Sequence, residues 1–184
     1  MSTDASEIEI LSTPNPDALM FRLAERLVPR GSYEYASVEA AAGSALARAL
    51  FAVDGVAGVL IAPTFVTVTR TVGTAWPALV EAVRAALVAF VERGELAVDD
   101  LDEARAEGDE VEQLIQRLIV ESIQPALEHD GGAIDYVGFV DGHVHVRLRG
   151  ACGTCPHATA TLAYGVQRFL MQHVPEVKGV VRVD

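Results

Sequence analysis

The sequence predicts a mixed α/β protein of the α+β type, built from two small domains. Its 184 residues are enough for two domains that each bury a core. Runs of β-branched residues and apolar residues at helical spacing recur on both sides of one highly charged segment. That segment, residues 95–112, holds nine acids and one base and so contributes −8 to the net charge of −12.

The acidic segment predicts the domain boundary. Its composition is typical of a solvated linker, and an exposed helix with a weak apolar face is the alternative. We expect an N-terminal domain over residues 1–94, a linker over residues 95–112 and a C-terminal domain over residues 113–184.

The N-terminal domain is predicted to follow the order β-β-α-β-β-α. Ile8–Leu11 and Ala18–Leu23 have the composition of strands, and the turn between them, Thr13–Pro16, contains two prolines that cannot donate to a strand ladder. Val38–Val53 carries apolar residues at helical spacing, and Asp54–Gly55 ends that helix.

The second half of this domain repeats the pattern. Val56–Ile61 and Phe65–Arg70 are β-branched runs that predict a hairpin. Trp76–Pro77 then begins a helix with one apolar face, and Gly94 ends it. We therefore expect both helices of this domain to pack on its strands.

The C-terminal domain is predicted to follow the order α-β-β-α-β, with its helices on one face of a three-stranded sheet. An amphipathic helix begins near Val111 and is disturbed at Pro125. The next two strands, Ala133–Phe139 and His143–Arg149, are joined at Asp141–Gly142, a pair that favours a type I′ hairpin turn. A helix over residues 158–174 and a strand over residues 177–183 follow, with a right-handed crossover.

Composition and charge exclude several classes of protein. Hydrophobic residues make up 51% of the chain and charged residues 22%, which indicates a packed globular protein. A net charge of −12 disfavours nucleic acid as a partner, because binding to phosphates needs a basic surface. No stretch is long and apolar enough for a membrane span, and the acidic first residues resemble neither a secretory signal nor a transit peptide. A cytoplasmic location is therefore expected.

The candidate site is formed by Cys152 and Cys155, the two cysteines of the chain. They lie between a predicted strand and a predicted helix whose first turn accommodates Pro156. Helix N-termini favour thiolate over thiol and attract anions, so the pair suits a metal or an iron-sulfur cluster. Two thiolates are half of the usual four ligands, and a two-fold homodimer would supply the rest. This arrangement predicts one 4Fe-4S cluster per two chains.

Two other kinds of site fit the cysteine pair. A thioredoxin-like redox protein also places such a pair at the start of a helix, but here the preceding strand belongs to a hairpin. A mononuclear zinc site would use Cys152, Cys155 and His157. The other histidines have simpler explanations, since His143 and His145 alternate with inward-facing valines. Asp130–Gly132 follows a helix and is interpreted as a chain reversal, not a phosphate loop.

Both halves of the chain resemble the Nfu-type iron-sulfur cluster scaffold family. In the C-terminal half the resemblance rests on Pro125–Leu127, Asp130–Gly132 and Gly150–Leu162, and in the N-terminal half on Thr13–Pro16, Ala40–Ser44, Leu50–Phe51, Gly55–Val56 and Phe65–Thr69. The resemblance implies a non-enzymatic carrier that receives a 4Fe-4S cluster from an assembly system and delivers it to apo-proteins. It further implies that Cys152 and Cys155 bridge the cluster across a dimer and that the N-terminal domain recognises assembly factors or clients. A 2Fe-2S cluster is a possible second cargo.

Two positions depart from the family pattern. His157 replaces a small hydroxyl residue after the second cysteine, and Ala163 occupies a commonly basic position in the following helix. Neither change removes a ligand, but both alter the charge around the site, and His157 could protonate near the cluster.

Overall fold

The computed structural model describes residues 8–29, 31–99, 108–151 and 156–183, without the side chains of residues 156–163. The chain divides into two compact units, Met1–Glu103 and Ala104–Asp184. Each unit mixes helices with a sheet, so the predicted α+β class is confirmed. No helix in the described ranges is long and apolar enough to cross a bilayer.

The first unit is built on a five-stranded antiparallel sheet in the order β1-β2-β5-β4-β3. The strands are β1 (Glu9–Ser12), β2 (Ala18–Arg22), β3 (Tyr33–Tyr35), β4 (Val56–Ile61) and β5 (Phe65–Arg70). The predicted hairpin β4–β5 is confirmed to the residue at both ends. β3 was missed, because three residues are too few to show a periodic pattern and this strand forms only by pairing with the edge of β4.

Two helices cover this sheet, α1 (Ala45–Phe51) and α2 (Trp76–Arg93). The prediction for α2 is confirmed, since Gly94 ends it in the left-handed conformation with φ of 62°. The single helix predicted over residues 38–53 is wrong in its first half. A 3₁₀ helix (Ala40–Gly43) precedes α1, and Ser44 between them is extended because its side chain caps α1 by accepting from the Ala47 N–H.

The core of the first unit extends beyond the predicted end of the domain. Ala97 and Val98 are buried, and the Asp99 N–H donates to the Gly43 carbonyl at 2.9 Å. The Ser44 hydroxyl donates to the Ala97 carbonyl at 2.6 Å. The start of the acidic segment therefore packs on the first unit, while residues 100–107 lie outside the described part of the chain.

The second unit has the predicted order α-β-β-α-β, with a three-stranded sheet in the order β6-β7-β8. β6 and β7 are antiparallel, whereas β7 and β8 are parallel and are connected through a helix. The elements are α3 (Glu110–Leu118), α4 (Gln124–His129), β6 (Gly132–Val140), β7 (His143–Gly150), α5 (Pro156–His173) and β8 (Gly179–Arg182). The helices and one face of the sheet share a core that includes Ile115, Ile119, Leu127, Val144, Val146, Leu148, Val166 and Leu170.

Pro125 disturbs the first helix without ending it. A π-helical turn over Ile119–Ile123 joins α3 to α4, and the Gln124 N–H donates to the Ile119 carbonyl. Proline lacks the N–H that an α-helical turn would use, and the wider turn relieves its ring of the clash with the preceding turn. Gln124 and Pro125 therefore begin α4 in a register that keeps Ile123 and Leu127 buried.

The β6–β7 hairpin confirms the predicted turn. Asp141 has φ of 52° and Gly142 has φ of 84°, the two positive values that a type I′ turn requires. A bulge lies between Tyr136 and Gly138, and it returns Phe139 to the core face opposite Val144.

Candidate functional site

The candidate site lies where the end of β7 is connected to the start of α5. β7 ends at Gly150, α5 begins at Pro156, and Ala151 is fully buried. The predicted ligands Cys152 and Cys155 lie in this connection, outside the described residues. The structure therefore defines the two elements that flank the pair.

The strand side of this connection is held by the Asp130–Gly132 reversal. Gly132 pairs with Gly150 across the β6–β7 ladder, and the Ala151 N–H donates to the Gly131 carbonyl at 3.3 Å. The sequence correctly predicted a reversal here but not its position beside the cysteine segment. The two successive glycines, Gly131 and Gly132, are the signal for a reversal in the sequence. Only the pairing of β6 with β7 shows that this reversal lies next to Gly150 and Ala151.

Gly150 itself has a conformation that suits glycine. Its φ of 65° lies in the left-handed region, which bends the chain away from the extended path of β7. Gly131, which faces the same point, also has positive φ, at 71°. The base of the cysteine connection is thus formed by two backbone reversals placed side by side.

The helix side is anchored by the core. Val166 and Leu170 of α5 are buried, and the side-chain oxygen of Gln167 accepts from the Val180 N–H of β8 at 3.2 Å. The 18 residues of α5 align their peptide dipoles, so the positive end of the helix lies at Pro156. Cys155 directly precedes that residue in the sequence. The backbone on this side favours negative charge on the cysteine pair.

One ion pair lies close to the site along the strand. Arg149 forms a salt bridge with Asp135 of β6, and their side chains are 23% and 27% exposed. Arg149 is the last charged residue before Cys152. The partial burial makes this pair less sensitive to salt than a fully exposed one.

The histidines do not form a metal cluster in the described ranges. His143 and His145 lie on the sheet face opposite the buried Val144 and Val146, as predicted. His173 ends α5, where Nδ1 lies 2.8 Å from the Phe169 carbonyl oxygen, about 25 Å along the helix from Pro156. Among described residues there is no group of three or more metal-ligating side chains. The side chain of His157 lies outside them, so its predicted role is still a prediction.

Comparison with protein families defines the class of the chain. Residues 115–181 match the model of the NifU-like domain, and residues 8–94 match the model of the scaffold protein Nfu/NifU N-terminal domain. The two matches lie in the two compact units, one in each. The class is thus a two-domain scaffold protein with the cysteine pair in its NifU-like part.

The sequence similarity to known proteins covers most of the chain. A protein named NFU1 iron-sulfur cluster scaffold homolog, mitochondrial, from Homo sapiens is 35% identical over 96% of this chain and 71% of its own length. NifU-like protein 4, mitochondrial, from Arabidopsis thaliana is 36% identical over 94% of this chain. The chain spans 64% of the length of that relative. The solution structure of a NifU-like protein from Saccharomyces cerevisiae superimposes on this chain with a TM-score of 0.49 and 25% sequence identity. The match covers 55% of this chain and 92% of the yeast chain.

The chain belongs to the Nfu family of iron-sulfur cluster scaffold proteins. The resemblance predicted from the motifs is thereby confirmed. The predicted cytoplasmic location is contradicted, because these relatives are named as mitochondrial proteins. The acidic residues at the start of the sequence, on which that prediction rested, are therefore not a guide to location.

Proposed function

We propose that this protein carries a 4Fe-4S cluster between two copies of the chain and transfers it to apo-proteins. The observation that supports this most is the place of Cys152 and Cys155 in the sequence, between the end of β7 and the first turn of α5, in the unit that matches the NifU-like domain. Relatives named as iron-sulfur cluster scaffolds agree with the carrier role. The cluster is the cargo of the protein, and no catalytic step is needed.

The ligand count is the reason for proposing a dimer. One chain offers two cysteine thiolates, and a 4Fe-4S cluster takes about four. A two-fold contact brings the same segment of a second chain to the same point, so it completes the ligand set without any further residue type. A 2Fe-2S cluster on the same four thiolates is a second cargo that this arrangement accommodates.

The flanking elements suggest how the cluster is held and released. The positive end of α5 stabilises thiolates and the negative charge of a thiolate-bound cluster. A site where two chains meet is open to an incoming client thiolate, which can replace one cysteine ligand at a time. The first unit contains no cysteine in residues 1–94, and we assign to it the recognition of assembly factors or client proteins.

Anaerobic reconstitution with iron and sulfide tests the proposal. We expect about four iron ions per two chains, a visible absorption band of a 4Fe-4S cluster, and a dimer by light scattering. Cys152→Ser and Cys155→Ser should each lose the cluster and the dimer together. Ser12→Ala, which changes a residue of β1 in the other unit, is the control and should load fully. A stable cluster on a monomer would refute the shared site.

The alternatives give different results in the same preparation. Purified protein with one firmly held zinc ion per chain and no cluster would favour the mononuclear site with His157. Reduction of insulin disulfides by the metal-free chain would favour the thioredoxin-like function. Transfer of the cluster to an apo-protein, followed by recovery of activity in that protein, would support the carrier.

A further inference from the structure

The outer face of the C-terminal sheet carries a row of basic side chains. His143, His145, Arg147 and Arg149 alternate along β7 with Val144, Val146 and Leu148, which are buried. Successive side chains on one face of a strand lie about 7 Å apart. We call these four residues the basic row. It runs along the strand that leads to the cysteine pair and ends three residues before Cys152.

The charge of this sheet is opposite to that of the rest of its unit. Strands β6, β7 and β8 contain one acid, Asp135, against three arginines and two histidines. The remaining residues from 108 to 183 hold eight acids against three lysines and arginines. With histidine counted as neutral, the sheet has a net charge of +2 and the remainder −5. The outer face holds +1 of this, from Arg147, Arg149 and Asp135, because Arg182 pairs with the buried Val146 and so lies on the other face. A chain with net charge −12 therefore has a local basic surface on this sheet.

The single acid of the sheet lies beside the basic row and does not cancel its positive charge. Asp135 is directly opposite Arg147 in the ladder and forms its salt bridge with Arg149. One carboxylate thus faces two guanidinium groups. The half-buried His145 and exposed His143 add N–H donors that can reach carboxylates of another molecule.

Apolar side chains accompany the basic row on the same face. Val140 lies opposite His143, and Val181 of β8 lies opposite His145. They are 57% and 39% exposed, although valine is a residue that folding usually buries. These two side chains would give a partner protein apolar contacts beside the charged ones.

We propose that this sheet face docks an acidic surface of a partner protein beside the cysteine pair. The occupant follows from charge, because carboxylates would meet the surplus of positive charge and the exposed valines would meet apolar groups. A nucleic acid fits less well, since its long run of phosphates would also face the strongly acidic remainder of the chain. Taking the partner to be a cluster donor or client rests on the proposed function. The docking itself does not.

A labelled peptide of eight glutamates is a suitable probe, with a peptide of eight glutamines as its uncharged match. Fluorescence anisotropy with the full-length, cluster-free chain should show binding of the acidic peptide that weakens as salt increases. Amide shifts in an NMR spectrum should change at β7 and at Val140 and Val181. Because the chain is cluster-free, a failure of cluster assembly leaves the result unaffected.

Two single substitutions distinguish binding at the basic row from a non-specific effect of the net charge. Arg147→Gln should weaken peptide binding by about fivefold, whereas Arg168→Gln on the exposed side of α5 should change it by less than about twofold. Circular dichroism checks that both variants fold. Equal effects of the two substitutions, or peptide shifts confined to the helices, would overturn the proposal. Tighter binding of an eight-nucleotide single strand than of the acidic peptide would overturn it as well.

Discussion

Replacing Gly150 by alanine tests how the end of β7 positions the cysteine pair. With φ of 65°, an L-residue at this position brings its Cβ close to the following carbonyl oxygen, at a cost of about 1–2 kcal/mol. The added methyl group also restricts the unfolded chain, which offsets about 0.4–1 kcal/mol of that cost. We expect a net loss of about 1 kcal/mol in the free energy of unfolding.

The same substitution should reduce cluster loading by more than its effect on stability explains. Relief of the strain at residue 150 would rotate the next peptide group, which contains the Ala151 N–H bonded to the Gly131 carbonyl. Cys152 follows directly. Urea unfolding gives the stability, and iron content per folded chain after reconstitution gives the loading.

Gly138→Ala is the matched control for this experiment. Gly138 lies in the neighbouring strand β6, it is not among the residues with positive φ, and an added Cβ would meet nothing within 4 Å. This variant should be neutral or more stable by about 0.5 kcal/mol, with normal loading. If both glycine variants unfold at the same urea concentration and load equally, the reasoning about Gly150 is wrong.

Two further predictions concern polar contacts of side chains. Ser44→Ala should lower the stability of the first unit by about 2 kcal/mol, because it removes a helix cap and leaves the buried Ala97 carbonyl without its hydroxyl donor. Hydrogen exchange at the Asp99 amide should then accelerate. An unchanged exchange rate would contradict this role of Ser44. Burial, followed by the hydrogen bond to Glu112, raises the pKa of Tyr136 well above its ordinary value. The phenol of the unfolded chain therefore loses its proton first, so this stabilisation is complete below about pH 10 and declines as the pH rises further. Unfolding measured from pH 9 to pH 11 should show a smaller decline for Tyr136→Phe, and equal slopes would count against this coupling.

The elements predicted correctly are those whose signal is local. The hairpin β4–β5, the helix α2 with its terminal Gly94, and the Asp141–Gly142 turn each depend on residues that are adjacent in the sequence. Strand alternation, helix periodicity and positive φ are properties of a short segment. Such features can be predicted without knowing what the segment packs against.

The features that were missed depend on distant partners. Strand β3 forms by pairing with the edge of β4. The helix predicted over residues 38–53 is interrupted at Ser44, which caps α1 and whose hydroxyl also donates to the Ala97 carbonyl. The same contact draws Ala97 and Val98 into a core, although an acidic segment is predicted to be solvated. No local pattern reports a hydrogen bond between residues 53 positions apart.

The sequence by itself identified the family of this protein and supplied the prediction of its chemistry. Two cysteines, spaced for a shared ligand set and flanked by a strand and a helix, predicted a cluster carrier, and the motifs around them predicted the family that the comparisons confirm. These conclusions depend on residue identity and spacing, which folding does not change.

Only the tertiary structure decided what surrounds that chemistry. It placed Gly131 against Ala151, paired Arg149 with Asp135 in a salt bridge, and left Val140 and Val181 exposed beside the basic row. The physical reason is that strand register sets which residues share a face, and register is set by the whole core and by the bulge after Tyr136. The surface next to the cysteine pair is therefore a property of the folded sheet.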